Sequence, residues 1–472
     1  MTSTRFERFL ASTPPAYLTR PLLKLQPVLA KRGTPDIDLA ALSELIGGSA
    51  VLTEPIIVES PEHWAQALGE LGEDIDAILP VSITAYPTEI WNSHPQPLID
   101  RGLPVIFWPI IHYDEPNFWR WSARDFLRAL GVSVHLVKSN HQGIALLRAL
   151  AMKRFLATSK LVVFGRQNFP WNAHAAGNLV TRTFGTQIVV RELEDFRSRA
   201  ARHSDVEIAE LWKARKDRYV EKNVRTEDLR IALRTYLGIK DVLEEEQALG
   251  FGVNCFGELI TEGGRDMPCL AQALVREDGY IASCDGDFLA MMSMVLGTYM
   301  LDQTCMMSNM YPVQYVGALS DHFGDPLSPD KKRYPKAEWP NLARMAHCGF
   351  AGIVSPEMTP SGQVVLNDWG GTYEMKRDGR GCGIDGDMIS GRKATAIQLR
   401  FDGKTLLLAD AEVCETTRHP LLHCESSVLF KFRNLPDFIE NISREHTVFC
   451  YDDHINDLKI LGEVFGMDVK VF

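Results

Sequence analysis

The stretch IASCDGDFLAMMSMVLGTYML, from Ile281 to Leu301, sets two carboxylates around one glycine where a strand-like run meets an apolar run of helical length. Two kinds of chemistry fit that turn. Asp287, directly before Phe288, has the type and place of a helix N-cap, whose side-chain oxygen accepts backbone N–H bonds from the first turn. Capping leaves Asp285 unused. A carboxylate at a strand end beside a helix start is placed to hold a divalent cation or to polarise a substrate. The tripeptide recurs at Asp385-Gly386-Asp387, so it is not specific by itself. The oxygen spacing of an EF-hand loop does not follow it.

Imidazoles are the natural complement. His347 ends an apolar segment in LARMAHCGFAGIV, and His446 directly precedes the strand-like run TVFCY. Either alone reads as an ordinary structural histidine in a hydrogen bond. Together with Asp285 they offer carboxylate oxygen and imidazole nitrogen, a set that suits Mn²⁺ or a similar first-row ion better than Ca²⁺. Sequence spacing cannot bring the three together, so the elements that carry them must do it.

Those elements fall into three textures. Residues 1–157 alternate apolar runs (DAILPVSITAY, LPVIFWPII, VSVHLVKS) with helical stretches, including NFWRWSARDFLRALG with Gly131 as its C-cap signal; alternation of this kind predicts a parallel α/β sheet. A second α/β domain, 158–304, opens with SKLVVFGRQNFPWNAHAAGNLVTRTFGTQIVVREL. Its Phe164-Gly165 loop lies where open α/β sheets place ligands, but GxGxxG is missing, which leaves a dinucleotide site weakly supported. The charged segment Ala209–Gln247 reads as solvated helices. Residues 305–472 read as a β-rich domain with a hairpin around Asp402-Gly403, a strand SSVLFKF, a helix DHINDLKILGEVFG and a last strand MDVKVF.

Composition narrows the classes. The chain has 472 residues, 45% hydrophobic and 24% charged, with a net charge of -11. That balance argues against a nucleic-acid or anionic-membrane binder. Nine cysteines, without a CxxC pair, predict reduced, mostly buried thiols, not a disulfide framework or a zinc ribbon. The opening MTSTRFERFLASTPPAYLTRPLL is too charged and proline-broken for a secretory signal, and no apolar run reaches membrane-spanning length. The expectation is a cytoplasmic protein.

Three blocks resemble the L-fucose and L-arabinose isomerase superfamily: GYIASCDGDFLAMMSMVLGTYML, DMISGRKATAIQLRFDGKTLLLADAEV and REHTVFCYDDHINDLKILGEVFGMDVKV. The third is the most specific. The resemblance covers roughly residues 253–472 and implies two Rossmann-like doubly wound α/β domains followed by a β-rich, barrel-like C-terminal domain. It also implies a carbohydrate substrate, a Mn²⁺ or another divalent metal such as Mg²⁺, and a homo-oligomer, trimer or hexamer.

Carried over by position, Asp285 falls on a metal-binding acid of the family, His446 on its C-terminal metal histidine and His347 on the histidine of the arabinose isomerases. The chain then departs from the pattern. Where the family has a second acid that also serves proton transfer, this sequence has Ser308 or Asn309. Asn309 offers a carbonyl oxygen to a metal but no base. Asp287 or Asp368, the latter beside Trp369, could take over the proton transfer, with Ser308, Asp368 and Trp369 as substrate contacts.

The functional expectation is an aldose–ketose isomerase-like enzyme working through an enediol. The alternative is the same fold without that activity: a sugar-binding protein, or a lyase or hydrolase acting on a modified sugar. Trp91, Trp108, Trp119 and Trp121 read first as packing residues. By the resemblance, some of them or His112 could instead line a sugar pocket.

Overall fold

The computed structural model describes residues 14–31, 38–81, 93–108, 120–166, 173–315, 317, 320, 327–347, 356–369, 378–418 and 426–472. The chain forms two compact units, one from Arg20 to Phe155 and one from Leu156 to Phe472 that also takes in the stretch up to Thr19.

The first unit holds a parallel sheet. Its strands are β1 (Leu23–Ala30), β2 (Ala50–Leu52), β3 (Ile56–Val58), β4 (Ala77–Pro80), β5 (Val105–Phe107) and β6 (Val134–Leu136), in the order β2-β1-β4-β5-β6 with β3 also on β1. Strands β4, β5 and β6 are buried throughout, as expected when helices cover both faces of a parallel sheet. The helix predicted from NFWRWSARDFLRALG runs Arg120–Ala129, and Gly131 follows it at φ +93°. Trp108 is wholly buried and its indole N–H donates to Asn140 Oδ1 at 3.0 Å; Trp121 packs against the core. Both therefore serve packing, while Trp91, Trp119 and His112 lie outside the described residues.

In the second unit β7 (Lys160–Phe164) and β8 (Gln187–Arg191) come first, and β9 (Tyr219–Asn223) leaves for another sheet. With β10 (Gly250–Val253) and β11 (Ile281–Ser283) a parallel sheet of order β11-β10-β7-β8 results. Later strands are β12 (Met306–Pro312), β13 (Leu342–Ala346), β14 (Val364–Asp368), β15 (Cys382–Asp385), β16 (Lys393–Leu399), β17 (Thr405–Arg418), β18 (Ser426–Phe432), β19 (His446–Tyr451) and β20 (Asp468–Val471). Six of them close an antiparallel barrel, β16-β19-β12-β13-β18-β17, because β17 pairs back onto β16; β20 adds to β17. Closure leaves no open edge among the six. The predicted hairpin turn is present: Gly403 has φ +66° and Asp402 Oδ1 accepts from Lys404 N and Thr405 N, each at 2.8 Å.

The helix Phe288–Leu301 joins the two architectures. It is apolar all round and all of its residues are buried, the condition such a helix needs. It packs against β11 and against β16, β19 and β12 of the barrel. Its first turn is thereby fixed between the parallel sheet and the barrel. One expectation is corrected here. The charged segment 209–247 is not solvated throughout, because the helix Thr226–Glu246 buries a face that includes Asp228, Leu233, Tyr236 and Val242. A third small sheet of this unit has the order β15-β14-β9. No described helix is long and apolar enough to cross a membrane.

Candidate metal centre

The turn after β11 is built around two consecutive left-handed residues, Asp285 at φ +55° and Gly286 at φ +61°, and Gly286 N donates to Val253 O at 3.0 Å. Glycine takes that conformation without cost, and aspartate is among the few other residues that tolerate it. Asp287 is the N-cap, accepting from Leu289 N at 2.9 Å and Ala290 N at 3.1 Å through Oδ1. The other oxygen does something that the cap reading did not foresee. His446 Nδ1 lies 2.8 Å from Asp287 Oδ2, and Arg444 Nε lies 3.3 Å from the same oxygen. A carboxylate only accepts, so Nδ1 carries the proton of this bond and Nε2 faces the opposite way.

That opposite direction is toward Asp285. His446 Nε2 is 3.5 Å and His347 Nε2 is 3.6 Å from Asp285 Oδ2, and the two rings have centroids 5.7 Å apart. One ligand atom from each of Asp285, His347 and His446 falls within 4.8 Å of the others, and all three residues are buried. Barrel pairing makes the convergence. His446 opens β19 and His347 directly follows β13, while β12 lies between those strands.

Burial and charge oppose one another in this cluster. Burial by itself would raise the Asp285 carboxyl, but His446 and His347 hold it well below the usual carboxylate range. Burial would lower His446, but hydrogen bonds and charge from Asp285 and Asp287 push it up to about 10. Asp287 is likewise held low against its burial, chiefly by His446.

The donor set fits a divalent first-row ion. It has one carboxylate and two imidazoles, and His446 Nε2 makes no hydrogen bond of ordinary geometry among the described residues. The Asp287 carboxylate on the far nitrogen is the partner a metal-bound histidine characteristically has.

The other predicted site residues fall in two places. Asn309 stands opposite His446 across β12 and β19, and Ser308 stands opposite Thr447. Directly opposed residues share a face of the sheet and successive residues alternate, so Asn309 shares the His446 face and Ser308 does not. Ser308 is wholly buried, and its hydroxyl donates to Asn309 O at 3.1 Å.

Asp368, at the end of β14, belongs to a second cluster. Arg225 Nε is 2.5 Å from both Asp368 Oδ2 and Asp228 Oδ2. Burial and the Asp228 carboxylate push Asp368 up to about 6. Trp369 is fully buried. Burial pushes the Cys269 thiol up, and the Cys255 thiol adds to that shift.

Sequence reasoning missed Asp228, Arg225 and Arg444. Arg444 stands two residues before His446, and alternation along an extended chain could have placed both on one face. Asp228 gave no signal, since it sits in a run of charged residues that resembles any exposed helix.

The fold pairs parallel α/β sheets with a closed antiparallel barrel, and the site joins a turn of the one to strands of the other. Sequence comparison adds a family. Residues 173–302 match the family model of the L-arabinose isomerase central domain. This stretch, similar to the sugar isomerase family, carries Asp285 and Asp287, whereas both histidines lie downstream in the barrel region. No curated protein matches the chain.

Proposed function

We propose that the chain is a divalent-metal-dependent enzyme of the sugar isomerase type. It interconverts an aldose and a ketose, or a modified sugar, by moving a proton between adjacent carbons through an enediol. The observation that carries this reading is the convergence of Asp285, His347 and His446 within 4.8 Å, supported by the match of residues 173–302 to the arabinose isomerase central domain.

Asp285, His347 and His446 would hold Mn²⁺ or another divalent ion such as Mg²⁺, with the Asn309 carbonyl oxygen as a further donor. A bound ion supplies Lewis acidity to the carbonyl and hydroxyl oxygens of the sugar. Asp287 and Arg444 do not need to touch the sugar: Asp287 holds His446 in the Nδ1–H form, and Arg444 balances the charge of that carboxylate. Proton transfer falls to Asp368. A carboxyl pushed up to about 6 exchanges protons near neutral pH, as an acid–base group in such a reaction must. As in the related isomerases, the working form is a homo-oligomer, trimer or hexamer.

The test combines binding and turnover. Mn²⁺ added to the metal-free protein should bind by electron paramagnetic resonance, and Asp285→Asn should abolish that binding. A panel of aldoses in deuterated water should show metal-dependent deuterium incorporation beside the carbonyl. Failure to bind Mn²⁺ overturns the reading. Sugar binding that ignores metal would support instead a sugar-binding protein or an enzyme of another class, consistent with Asn309 in place of an acid.

A further inference from the structure

We propose that Cys255, Cys284 and Asp285 form a second metal position, for a thiophilic divalent ion such as Zn²⁺, which shares the Asp285 carboxylate with the two histidines. Cys255 opens the short helical turn Cys255–Leu259 directly beyond β10, and Cys284 follows β11. Since β10 and β11 are parallel neighbours, both thiols arrive at the same carboxyl-terminal edge of the sheet, where open α/β sheets hold their ligands. One ligand atom from each of the three residues lies within 4.8 Å of the others. The cysteines are 1% and 2% exposed and Asp285 8%.

Asp285 is divided between two donor groups. Its Oδ1 is 3.5 Å from Cys255 Sγ, whereas Oδ2 faces His347 and His446 at 3.6 and 3.5 Å. The sulfur side is a different chemical environment from the imidazole side. Thiolates select Zn²⁺ and similar soft or borderline ions over Mn²⁺ or Mg²⁺. At a Zn–S distance of about 2.3 Å, tetrahedral ligands stand roughly 3.5–4 Å apart, a contraction that side-chain rotation supplies. Each thiol gives up its proton to solvent on binding, and the ion takes its place beside Asp285. Two thiols from different strands leave no CxxC signature, so only the pairing of β10 with β11 reveals the set. The position shares one ligand with the proposed Mn²⁺ centre, and an ion held there would draw Asp285 away from the histidines.

The experiment uses the full-length, reduced, metal-free protein with Co²⁺ and Zn²⁺ as probes. Co²⁺ should produce a thiolate-to-cobalt charge-transfer band that Zn²⁺ abolishes by displacement. Cys255→Ser and Cys284→Ser should each lose the band, while His446→Gln and the control Cys414→Ser, on β17, should keep it. Zn²⁺ should also protect Cys255 and Cys284 of the unaltered protein from alkylation, read by peptide mass spectrometry, which covers the case of a cysteine variant that fails to fold. Absence of the band, its persistence in both variants, or unprotected thiols at saturating Zn²⁺ would each overturn the proposal. Mn²⁺ binding retained in Cys255→Ser separates this outcome from failure of the isomerase reading.

Discussion

His446 Nδ1 lies 2.8 Å from Asp287 Oδ2, on a carboxylate whose other oxygen caps the helix Phe288–Leu301. One side chain thus fixes a helix start in one part of the fold and the ring orientation of a histidine from the barrel. The two roles separate by substitution. Asp287→Ala removes the cap, worth about 1 kcal/mol, and leaves the buried His446 Nδ1–H without its acceptor, about 1–3 kcal/mol more. A total near 2–4 kcal/mol should appear in urea denaturation. Asp287→Asn keeps the cap but lacks the charge. It should still cost about 1–3 kcal/mol, because the amide NH2 that replaces the second oxygen cannot accept from His446 Nδ1–H, and it should weaken Mn²⁺ binding by about 10–100-fold in calorimetry.

The cluster makes the metal-free protein sensitive to alkali. His446, pushed up to about 10 in the fold, has an ordinary value of about 6.5. Its contribution is therefore fully present below about pH 6.5 and is lost as the pH rises through about 10. Asp285 is depressed, so its contribution is present above the usual carboxylate range and lost as the pH falls below it. Thermal melting should show a plateau in mildly acidic solution and a decline toward alkaline pH, and His446→Gln should flatten that decline. Metal binding takes the deprotonated nitrogen, so Mn²⁺ should raise Tm more at about pH 8 than at about pH 6.

Asp228 should set the acid limb of the activity profile. Burial and the Asp228 carboxylate together hold Asp368 up to about 6. In Asp228→Asn the repulsion is gone, and the acid limb should move to lower pH by about one unit. Asp368→Asn should lower turnover by about 10²–10⁴-fold. An unmoved limb in Asp228→Asn would remove Asp368 from the proton path.

Asn309 is the natural place to restore a carboxylate, since it stands opposite His446. Asn309→Asp adds a negative charge near Asp285 on the buried face. It should lower Tm without metal and tighten Mn²⁺ binding by roughly tenfold, because ligand charge tunes the affinity of such sites. Calorimetry and melts with and without Mn²⁺ check both signs.

Gly250 controls the approach of the two strands that deliver Cys255 and Asp285. A Cβ there would stand 2.0 Å from Ile281 O, which is backbone and cannot turn aside. Gly250→Ala should therefore destabilise the protein by about 2–3 kcal/mol and abolish metal binding. Gly252→Ala is the control: its Cβ would meet only the flexible Met291 Sδ, at 3.4 Å. Chemical denaturation of the pair separates the two.

Most of the architecture could be read from local pattern. Apolar runs alternating with helical periods imply parallel sheets, Asp402-Gly403 implies the hairpin between β16 and β17, and SSVLFKF coincides with β18. Asp287 as a cap was equally legible, because capping depends on neighbours within one turn. The charged face of Thr226–Glu246 was misread because charge alone does not tell an exposed residue from one like Asp228, buried and paired with Arg225 and Arg380.

The sequence by itself determined which groups are available for chemistry: Asp285 at a strand end, two histidines at the borders of apolar runs, and an amide, not a carboxylate, at Asn309. Tertiary structure decided which of them meet. Barrel register sets Asn309 against His446 and carries His347 to the same carboxylate. The pairing of β10 with β11 gives that carboxylate its cysteine neighbours, and the fold sends Asp368 to a separate cluster with Asp228. The physical reason is range: caps, turns and periodicity are set within a few residues, whereas ligand sets are made by strands distant in sequence, and no local preference encodes their pairing.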